Sequence, residues 1–245
     1  MSAVVAMSRV EIRLFLRDPY SAVVSILLPT GLMVAFGIIP GTSRPEAQYG
    51  GMRFIDFWAP SVVVITMAVL ALQVLPTYVA TYREKGVLRR LSTTPVHPAK
   101  LLAAQLLCQL AVAVFSILLL LVVSATAFNV TLPRHPLEFC LAFLLGIAAI
   151  LTLGLLVGAV APSGRAANGI ALLLFFPTMF FGGVYVPRSI LPAWIGDVGK
   201  YFPPGVQALQ DSWTGPGVQW SQLGAMALIT LVVGALAAKL FRWDA

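Results

Sequence analysis

The chain alternates between long apolar segments and short polar connections. Six apolar segments have the roughly 20 residues that an α-helix needs to cross a hydrocarbon core about 30 Å thick. We number them spans 1 to 6; they cover residues 20–39, 57–80, 101–128, 137–161, 166–184 and 223–241. The pattern predicts an all-α integral membrane protein that forms a single transmembrane domain over residues 1–245.

Composition agrees with a membrane protein. Of the 245 residues, 59% are hydrophobic and 10% are charged, and the mean hydropathy of +0.92 exceeds that of an average soluble domain. The net charge of +7 could suggest a nucleic-acid partner. We expect none, because the basic residues are scattered over span ends and form no nucleic-acid motif. Membrane lipids are the expected surroundings.

The distribution of basic residues predicts the orientation. If the N-terminus is cytoplasmic, the cytoplasmic parts hold eleven of the 16 Lys and Arg residues and the outer parts hold five. Lys and Arg near span ends favour the cytoplasmic side. We therefore expect a multi-pass protein of a bacterial-type plasma membrane with both termini in the cytoplasm.

The residues before span 1 predict an interfacial helix over residues 8–18. Ser8 and Glu11 fit a capping box, which starts a helix. Arg9, Arg13 and Arg17 recur every four residues along it, as in a helix that lies on the inner leaflet. The alternative is an ordinary positive flank of span 1.

The connection between spans 2 and 3 is short and basic. Val87, Leu88 and Leu91 have helical spacing among its charged residues, which predicts one short helix over residues 82–92. Pro95 and Pro98 end that helix, so the helical region lies within residues 82–95. The alternative is a solvated loop whose charges only set the topology.

The connection between spans 5 and 6, residues 185–222, is much longer. It interleaves prolines with three tryptophans, which favour the membrane interface. Ser189 and Pro204 could each begin a short helix, giving two re-entrant half-helices on the outer side. The alternative is a folded outer loop with no role in transport.

Two stretches of the chain resemble permeases of the ABC-2 type transporter family, specifically its drug-resistance exporter branch. The first resembles the coupling helix, which docks on the ATP-binding subunit, through Glu84, Gly86, Leu91, Thr94, Pro95 and Val96. The second resembles the re-entrant helices at the exit, through FFGGVYVPRSILPAW, YFPP and ALQDSW. Together the two stretches follow the order that they have in the family.

This resemblance implies three sets of functional residues. The set that couples to the ATPase is Glu84, Val87, Leu88, Arg89, Arg90 and Leu91. The set that lines the substrate pathway on spans 2 and 5 is Thr66, Gln73, Thr77, Phe176, Met179 and Phe180. The set at the extracellular gate is Pro187, Pro192, Trp194 and Pro203. The alternative for the phenylalanines is packing against helices or lipid.

The motifs that the sequence lacks also restrict the function. It contains no G-x-x-x-x-G-K-[ST] phosphate-binding loop, so ATP and Mg are expected on a separate subunit and no cofactor on this chain. It contains no catalytic signature of a metalloprotease, thiol oxidoreductase or serine hydrolase, so we expect no enzyme activity. His97 and His135 are far apart in sequence, and no metal site is expected.

The sequence thus predicts a transporter subunit. The resemblance implies the permease of an exporter that moves a hydrophobic or amphipathic drug or natural product, with an ABC ATP-binding subunit as partner. Six spans make half of a pathway, so a homodimer is expected, or a heterodimer with a sibling permease. The alternatives are an exporter of lipid or lipid-linked glycan and an ion-coupled secondary transporter. The apolar interiors of the spans disfavour the last, since ion coupling usually needs a charge at membrane depth.

Overall fold

The computed structural model describes residues 3–46, 49, 51–92, 99–181, 183–184 and 192–241. Six of its helices are long and apolar enough to cross a membrane, which confirms the predicted all-α fold. These spans are Pro19–Gly37, Phe54–Glu84, Ala99–Phe128, Pro136–Val160, Gly164–Phe181 and Trp220–Leu240. Shorter helices are the N-terminal helix Ala3–Arg17, the loop helix Val87–Ser92, and two half-helices, Ala193–Tyr201 and Val206–Trp213.

Span 2 is the central helix of the bundle. Of its most apolar window, 78% is buried inside the protein, against 17% for span 6. Span 2 packs against spans 1, 3, 4 and 5, while span 6 packs mainly on span 4 and the N-terminal helix packs on span 3. A change at one end of span 2 therefore acts on several neighbouring helices at once.

Spans 1 and 2 each contain a π-helical turn. These turns are Val23–Leu27 and Val69–Val74. A proline follows two residues after each turn and lacks the N–H that would bond to the carbonyl four residues earlier. In span 1 that carbonyl belongs to Ser25, and it accepts a hydrogen bond of 3.0 Å from the Ser116 hydroxyl of span 3. Span 3 thus satisfies a backbone group that the proline leaves unpaired.

Glycines on span 4 allow it to approach span 2 closely. A Cβ atom at Gly154 would overlap the carbonyl oxygen of Ala71, and one at Gly158 would lie 2.8 Å from the Cβ of Val79. The G-x-x-x-G pair formed by Gly154 and Gly158 therefore packs inside the protomer, against a neighbouring span.

We expect Gly154→Ala to destabilise the bundle. The added methyl group must displace the backbone of span 2 at Ala71, and overpacking of this kind costs about 1–3 kcal/mol. Thermal unfolding of the detergent-purified protein, followed by size-exclusion chromatography after heating, measures the effect. Gly169→Ala is the matched control, because a Cβ atom at Gly169 meets nothing within 4 Å. Equal melting temperatures for the two variants would contradict the close approach.

A polar cluster joins span 2 to the end of span 3. Two short hydrogen bonds, of 2.6 and 2.8 Å, connect the Arg53 guanidinium with the Asp56 carboxylate. Arg53 also donates to the carbonyl oxygens of Phe128, at 3.3 Å, and Asn129, at 2.7 Å. The hydrogen bond to Asp56 raises the pKa of Arg53, against the effect of burial. We call this part of the molecule the Arg53 end.

The N-terminal helix begins earlier than predicted, and the proposed capping box is wrong. The helix starts at Ala3, so Ser8 lies inside it and is not its N-cap. Met7 packs against the hydrophobic core, which favours continuing the helix toward the N-terminus. Glu11 receives a hydrogen bond from the Tyr82 hydroxyl.

The segment predicted as one helix over residues 82–92 is divided. Span 2 continues as a helix to Glu84, and a separate loop helix occupies Val87–Ser92. Gly86, with φ of +65°, lies between them. This left-handed conformation suits glycine and ends the span. Thr94, Pro95 and Val96 of the motif lie outside the described residues.

The long connection after span 5 contains two half-helices; their predicted re-entry into the membrane stays a prediction. The first begins at Ala193, after Pro192, and the second begins at Val206, two residues later than the predicted start at Pro204. The predicted start of the first at Ser189 lies outside the described residues. Trp213 in the second half-helix is fully buried and donates a hydrogen bond of 2.8 Å to the Thr131 carbonyl. That bond attaches the half-helix to the connection between spans 3 and 4.

Candidate functional site

The ends of spans 1, 2, 4 and 5 meet around Arg83, and we call this part of the molecule the Arg83 end. A cavity of about 410 Å³ lies here, between the start of span 1, the last turns of span 2 and the start of span 5. Its size falls in the range of small-molecule sites. Polar side chains in its lining include Asp18, Gln73, Thr77, Glu84, Arg165 and Asn168.

Arg83 caps the end of span 4. Its Nη1 atom lies 3.1, 2.6 and 3.1 Å from the carbonyl oxygens of Gly158, Ala159 and Ala161. The last carbonyls of a helix have no intrahelical partner and carry partial negative charge, so a guanidinium stabilises them. The guanidinium carbon also lies 5.9 Å from the centre of the Phe241 ring, within range of a cation–π interaction.

Glu84 caps the start of span 5. Its Oε2 atom accepts a hydrogen bond of 3.1 Å from the backbone N–H of Gly164, the first residue of that span. A carboxylate at this position complements the positive end of the helix dipole. The neighbouring residues Arg83 and Glu84 thus hold both sides of the tight turn between spans 4 and 5. We call this arrangement the Arg83–Glu84 clasp.

Asp18 connects the start of span 1 with span 2. Its carboxylate accepts hydrogen bonds of 2.6 Å from the Ser21 hydroxyl, 2.8 Å from the Tyr78 hydroxyl and 3.4 Å from the Ser21 N–H. The Ser21 N–H bond makes Asp18 the N-cap of span 1. Burial acts to raise the pKa of Asp18, but these hydrogen bonds together lower it. Asp18 is therefore ionised at neutral pH.

Glu11 makes a second tyrosine–carboxylate pair with span 2. The Tyr82 hydroxyl donates a hydrogen bond of 2.8 Å to Oε2 of Glu11, and Glu11 is only 4% exposed. Burial raises the pKa of Glu11, and the hydrogen bond from Tyr82 only partly opposes that shift. The N-terminal helix is thus attached to the same turn of span 2 that carries the Arg83–Glu84 clasp.

The loop helix presents an apolar side to the protein and charges to the outside. Leu88 is fully buried, and Val87 and Leu91 are partly buried against the same core. Arg89 and Arg90 are exposed. The helix is therefore anchored to the bundle by its apolar side chains, with two cations on its accessible surface.

Comparison of the sequence with known proteins identifies the family of this chain. The sequence profile of the ABC-2 type transporter family matches residues 2–204. The chain belongs to the ABC-2 type transporter family. Members of this family are transmembrane transporter subunits, so this chain is not the ATPase of its system, and the family implies an ABC transporter with an ATP-binding partner.

Two named proteins are similar in sequence to this chain. The chain is 23% identical over 206 residues to a candidate transport permease, YvfS, of Bacillus subtilis (strain 168); the match covers 83% of this chain and 81% of that protein. It is 29% identical over 147 residues to ABC transporter G family member 20 of Dictyostelium discoideum, covering 58% of this chain. The matched part is 20% of the Dictyostelium protein, so this chain corresponds to a fraction of that longer one.

The residues predicted for the substrate pathway of this ABC-2 permease do not form one site. Gln73 and Thr77 line the cavity at the Arg83 end. Thr66 is 1% exposed and its hydroxyl bonds to the Val62 carbonyl, while Met179 is fully buried. Phe176 and Phe180 of span 5 lie on the protein surface, 60% and 42% exposed.

The predicted gate residues are similarly dispersed. Pro192 and Trp194 are exposed at the start of the first half-helix, whereas Pro203 is buried. Pro187 lies outside the described residues. Of the predicted coupling set, Glu84 precedes the loop helix and bonds to span 5, while the other five residues belong to the helix itself.

Sequence reasoning missed three contributors to this site. Arg83 was counted only as a cytoplasmic charge, although its contacts make it a helix cap. Asp18 precedes Pro19 at the start of span 1, and an acidic residue before a helix-starting proline is a recognisable N-cap signal. Tyr78 had no signal in the sequence, since its hydrogen bond to Asp18 joins residues 60 positions apart.

Proposed function

We propose that this chain is the permease subunit of an ABC exporter that moves a hydrophobic or amphipathic compound, such as a drug or natural product, out of the cell. A separate ATP-binding subunit hydrolyses ATP with Mg and drives the transport. The loop helix is the docking surface for that subunit.

The observation that supports this proposal most strongly is the Arg83–Glu84 clasp. The loop helix begins only three residues after Glu84, while Arg83 and Glu84 bond to the backbone of spans 4 and 5. A force applied to the loop helix therefore reaches span 2 through the backbone, and spans 4 and 5 through direct hydrogen bonds from span 2. Such a connection is what a transporter needs to convert motion of its ATPase into motion of its membrane helices.

The cavity supports a small cargo. Its volume of about 410 Å³ suits a drug-sized molecule and is small for a lipid-linked glycan. Gln73 and Thr77 supply hydrogen-bonding groups to its lining from span 2. We propose that cargo enters here and leaves past the half-helices, with Pro187, Pro192, Trp194 and Pro203 at the gate.

The proposed orientation and assembly follow from the docking role. An ATP-binding subunit reaches the loop helix only from the cytoplasm, so we propose that the Arg83 end and both termini lie on the cytoplasmic side of the plasma membrane. A second copy of the permease completes the pathway as a homodimer, giving two loop helices for two ATP-binding subunits.

We expect the double variant Arg89→Glu, Arg90→Glu to uncouple ATP hydrolysis from transport. Reversing both exposed cations of the loop helix replaces attraction to an acidic docking surface with repulsion. The measurement is co-purification with a co-expressed ABC ATP-binding protein from the same organism, followed by its ATPase activity in nanodiscs with and without candidate drugs and lipids. Drug stimulation should fall at least about tenfold, which corresponds to about 1.4 kcal/mol of coupling.

The control is the double variant Arg44→Glu, Arg134→Glu. It reverses two exposed cations on residues outside the Arg83 end, so it changes the net charge equally. It should retain the ATPase partner and the stimulation. Normal docking and stimulation in the Arg89, Arg90 variant would refute the docking role. Stimulation by lipids or lipid-linked glycans alone would assign the cargo to the rival class.

A further inference from the structure

The cavity at the Arg83 end is chemically different from the rest of the bundle. The spans are apolar along their length, yet charged and amide side chains from spans 1, 2 and 5 converge on one volume. Two carboxylates, those of Asp18 and Glu84, line it together with a single cation, Arg165. The formal charge of the described lining is therefore negative, although the whole chain carries +7.

Among the residues that the structure describes, no cation pairs with the Asp18 carboxylate. Its hydrogen-bond donors, at Ser21, Tyr78 and the Tyr20 backbone, are neutral, so its negative charge is not compensated by them. Oδ2 accepts the two short hydrogen bonds, whereas the bond to Oδ1 is long, 3.4 Å. Asp18 is only partly buried and lines the cavity, so a charged donor that enters the cavity can reach its carboxylate. Hydrogen bonding also lowers the pKa of Asp18, so the charge persists at neutral pH.

Two amide side chains in the cavity are also available. Among the described residues, none hydrogen-bonds the side-chain amide of Gln73 or of Asn168, although both line the cavity. Gln73 lies in the π-helical turn of span 2, and such turns frequently occur at functional sites. Asn168 is exposed and Gln73 is partly buried, so both amides are accessible to a ligand that enters the cavity.

Glu84 and Arg165 contribute less to ligand binding. Glu84 already accepts the Gly164 N–H, which commits one of its oxygens to the clasp. Arg165 is exposed and lies in the turn before span 5. Asp18 is thus the charged group best placed to bind a ligand, and a carboxylate selects a positively charged donor.

We propose that this cavity binds the protonated amine of an amphipathic molecule, with Asp18 as its counter-ion and Gln73 as a hydrogen-bonding partner. This assignment deepens the proposed function, on which it rests, by naming the cargo as an amphipathic amine. The apolar part of such a molecule lies against Val74 and the exposed ring of Tyr20, both of which border the cavity.

The test is direct binding to the full-length permease in nanodiscs of phosphatidylcholine. The probes share one dansyl-labelled dodecyl chain and differ in the head: a primary amine, its neutral N-acetyl amide, and a sulfate. Empty nanodiscs give the background from partitioning into lipid. The amine should bind roughly tenfold more tightly than the amide, and the sulfate more weakly still. Equal binding of amine and amide, or preference for the sulfate, would overturn the proposal.

Substitution of Asp18 locates the site. Asp18→Asn keeps an N-cap for span 1 and removes the charge, so the variant should fold and should lose the preference for the amine over the amide. Asp197→Asn is the matched control, because Asp197 is an exposed carboxylate of the first half-helix paired with Lys200. Gln73→Leu should weaken amine binding by a few fold and leave the thermal stability unchanged. An unchanged preference in Asp18→Asn would refute the assignment.

Two further experiments complete the test. The first distinguishes a lipid headgroup from a free amphiphile as the source of the amine, and the second distinguishes failure of the amine site from failure of the proposed exporter function. If phosphatidylethanolamine in the nanodisc competes with the probe, the amine belongs to a lipid headgroup; if it does not, the ligand is a free amphiphile. If the permease binds the amine but associates with no ATP-binding subunit, the amine site is supported and the proposed exporter function is refuted. ATPase stimulation by neutral amphiphiles, with no preference for the amine, would support the exporter and refute the amine site.

Discussion

Replacing Arg83 with alanine should detach the end of span 4 from span 2 and lower the melting temperature of the purified protein by about 5–10 °C. The substitution leaves three carbonyl oxygens, those of Gly158, Ala159 and Ala161, without their charged donor. Hydrogen bonds to charged groups contribute about 1.5–3 kcal/mol, and orphaned backbone groups add to the loss. If the clasp couples the loop helix to spans 4 and 5, drug-stimulated ATPase activity should fall with it.

Two variants separate the geometry of Arg83 from its charge. Arg83→Lys keeps the charge but replaces the guanidinium with a single ammonium group, so it should recover only part of the stability. Arg134→Ala is the control, since it removes an exposed arginine from the connection between spans 3 and 4. A melting temperature for Arg83→Ala within 1–2 °C of the Arg134→Ala value would mean that the cap contributes little.

Glu84 tests the other half of the clasp. Because a carboxylate at a helix N-terminus contributes less than a bridging guanidinium, Glu84→Gln should affect stability less than Arg83→Ala. Its effect on coupling should still be visible if the turn between spans 4 and 5 transmits motion. The comparison therefore separates stability from coupling at two adjacent positions.

The sequence was sufficient to predict the six spans, because length and hydropathy alone decide which helices can cross a bilayer. The residues at helix ends were harder to predict. Span 2 was expected to end at residue 80, where its apolar run stops, but it continues to Glu84. The extra turn is polar, and contacts with spans 4 and 5 stabilise it. Such contacts join residues about 75–80 positions apart and leave no periodic signal in the sequence.

Functional residues were predicted less completely than the fold. Resemblance to the family drew attention to spans 2 and 5, and two of the six predicted pathway residues, Gln73 and Thr77, do line the cavity. The sequence shows that Thr66 and Gln73 are both polar residues of span 2, but it does not distinguish their surroundings. The Thr66 hydroxyl bonds to a carbonyl of its own helix, whereas Gln73 lines the cavity. Helical periodicity places both residues on the span, but only packing decides which of them faces a cavity.

The roles of the carboxylates near the span ends were also not predicted, because their partners come from other helices. Glu11 was assigned to a capping box, and Asp18 was only the last residue of the predicted interfacial helix, because the search for functional charges covered the interiors of the spans. In the structure each receives a hydrogen bond from a tyrosine of span 2. Both carboxylates lie close to the ends of spans, and their hydrogen-bond donors come from another helix.

At the Arg53 end, the variant Arg53→Ala should destabilise the protein by about 2–3 kcal/mol. It leaves the Asp56 carboxylate, whose side chain is 13% exposed, without its cation, and it removes the donor to the Phe128 and Asn129 carbonyls at the end of span 3. Breaking one partner of a buried pair costs more than the pair contributes, because the remaining charge stays desolvated. The measurement is the midpoint of thermal unfolding in detergent.

A double-mutant cycle with Asp56 tests that explanation. Adding Asp56→Asn to Arg53→Ala removes the stranded charge, so the double variant should be more stable than Arg53→Ala alone. Arg44→Ala serves as the control, since Arg44 is exposed and precedes the same span. Because the Arg53 end lies away from the loop helix, its variants should lower stability without changing the ratio of drug-stimulated to basal ATPase activity. If the ratio of drug-stimulated to basal ATPase activity falls in variants at both ends of span 2, then any destabilisation of span 2 uncouples the transporter. The Arg83–Glu84 clasp would then have no specific role in coupling.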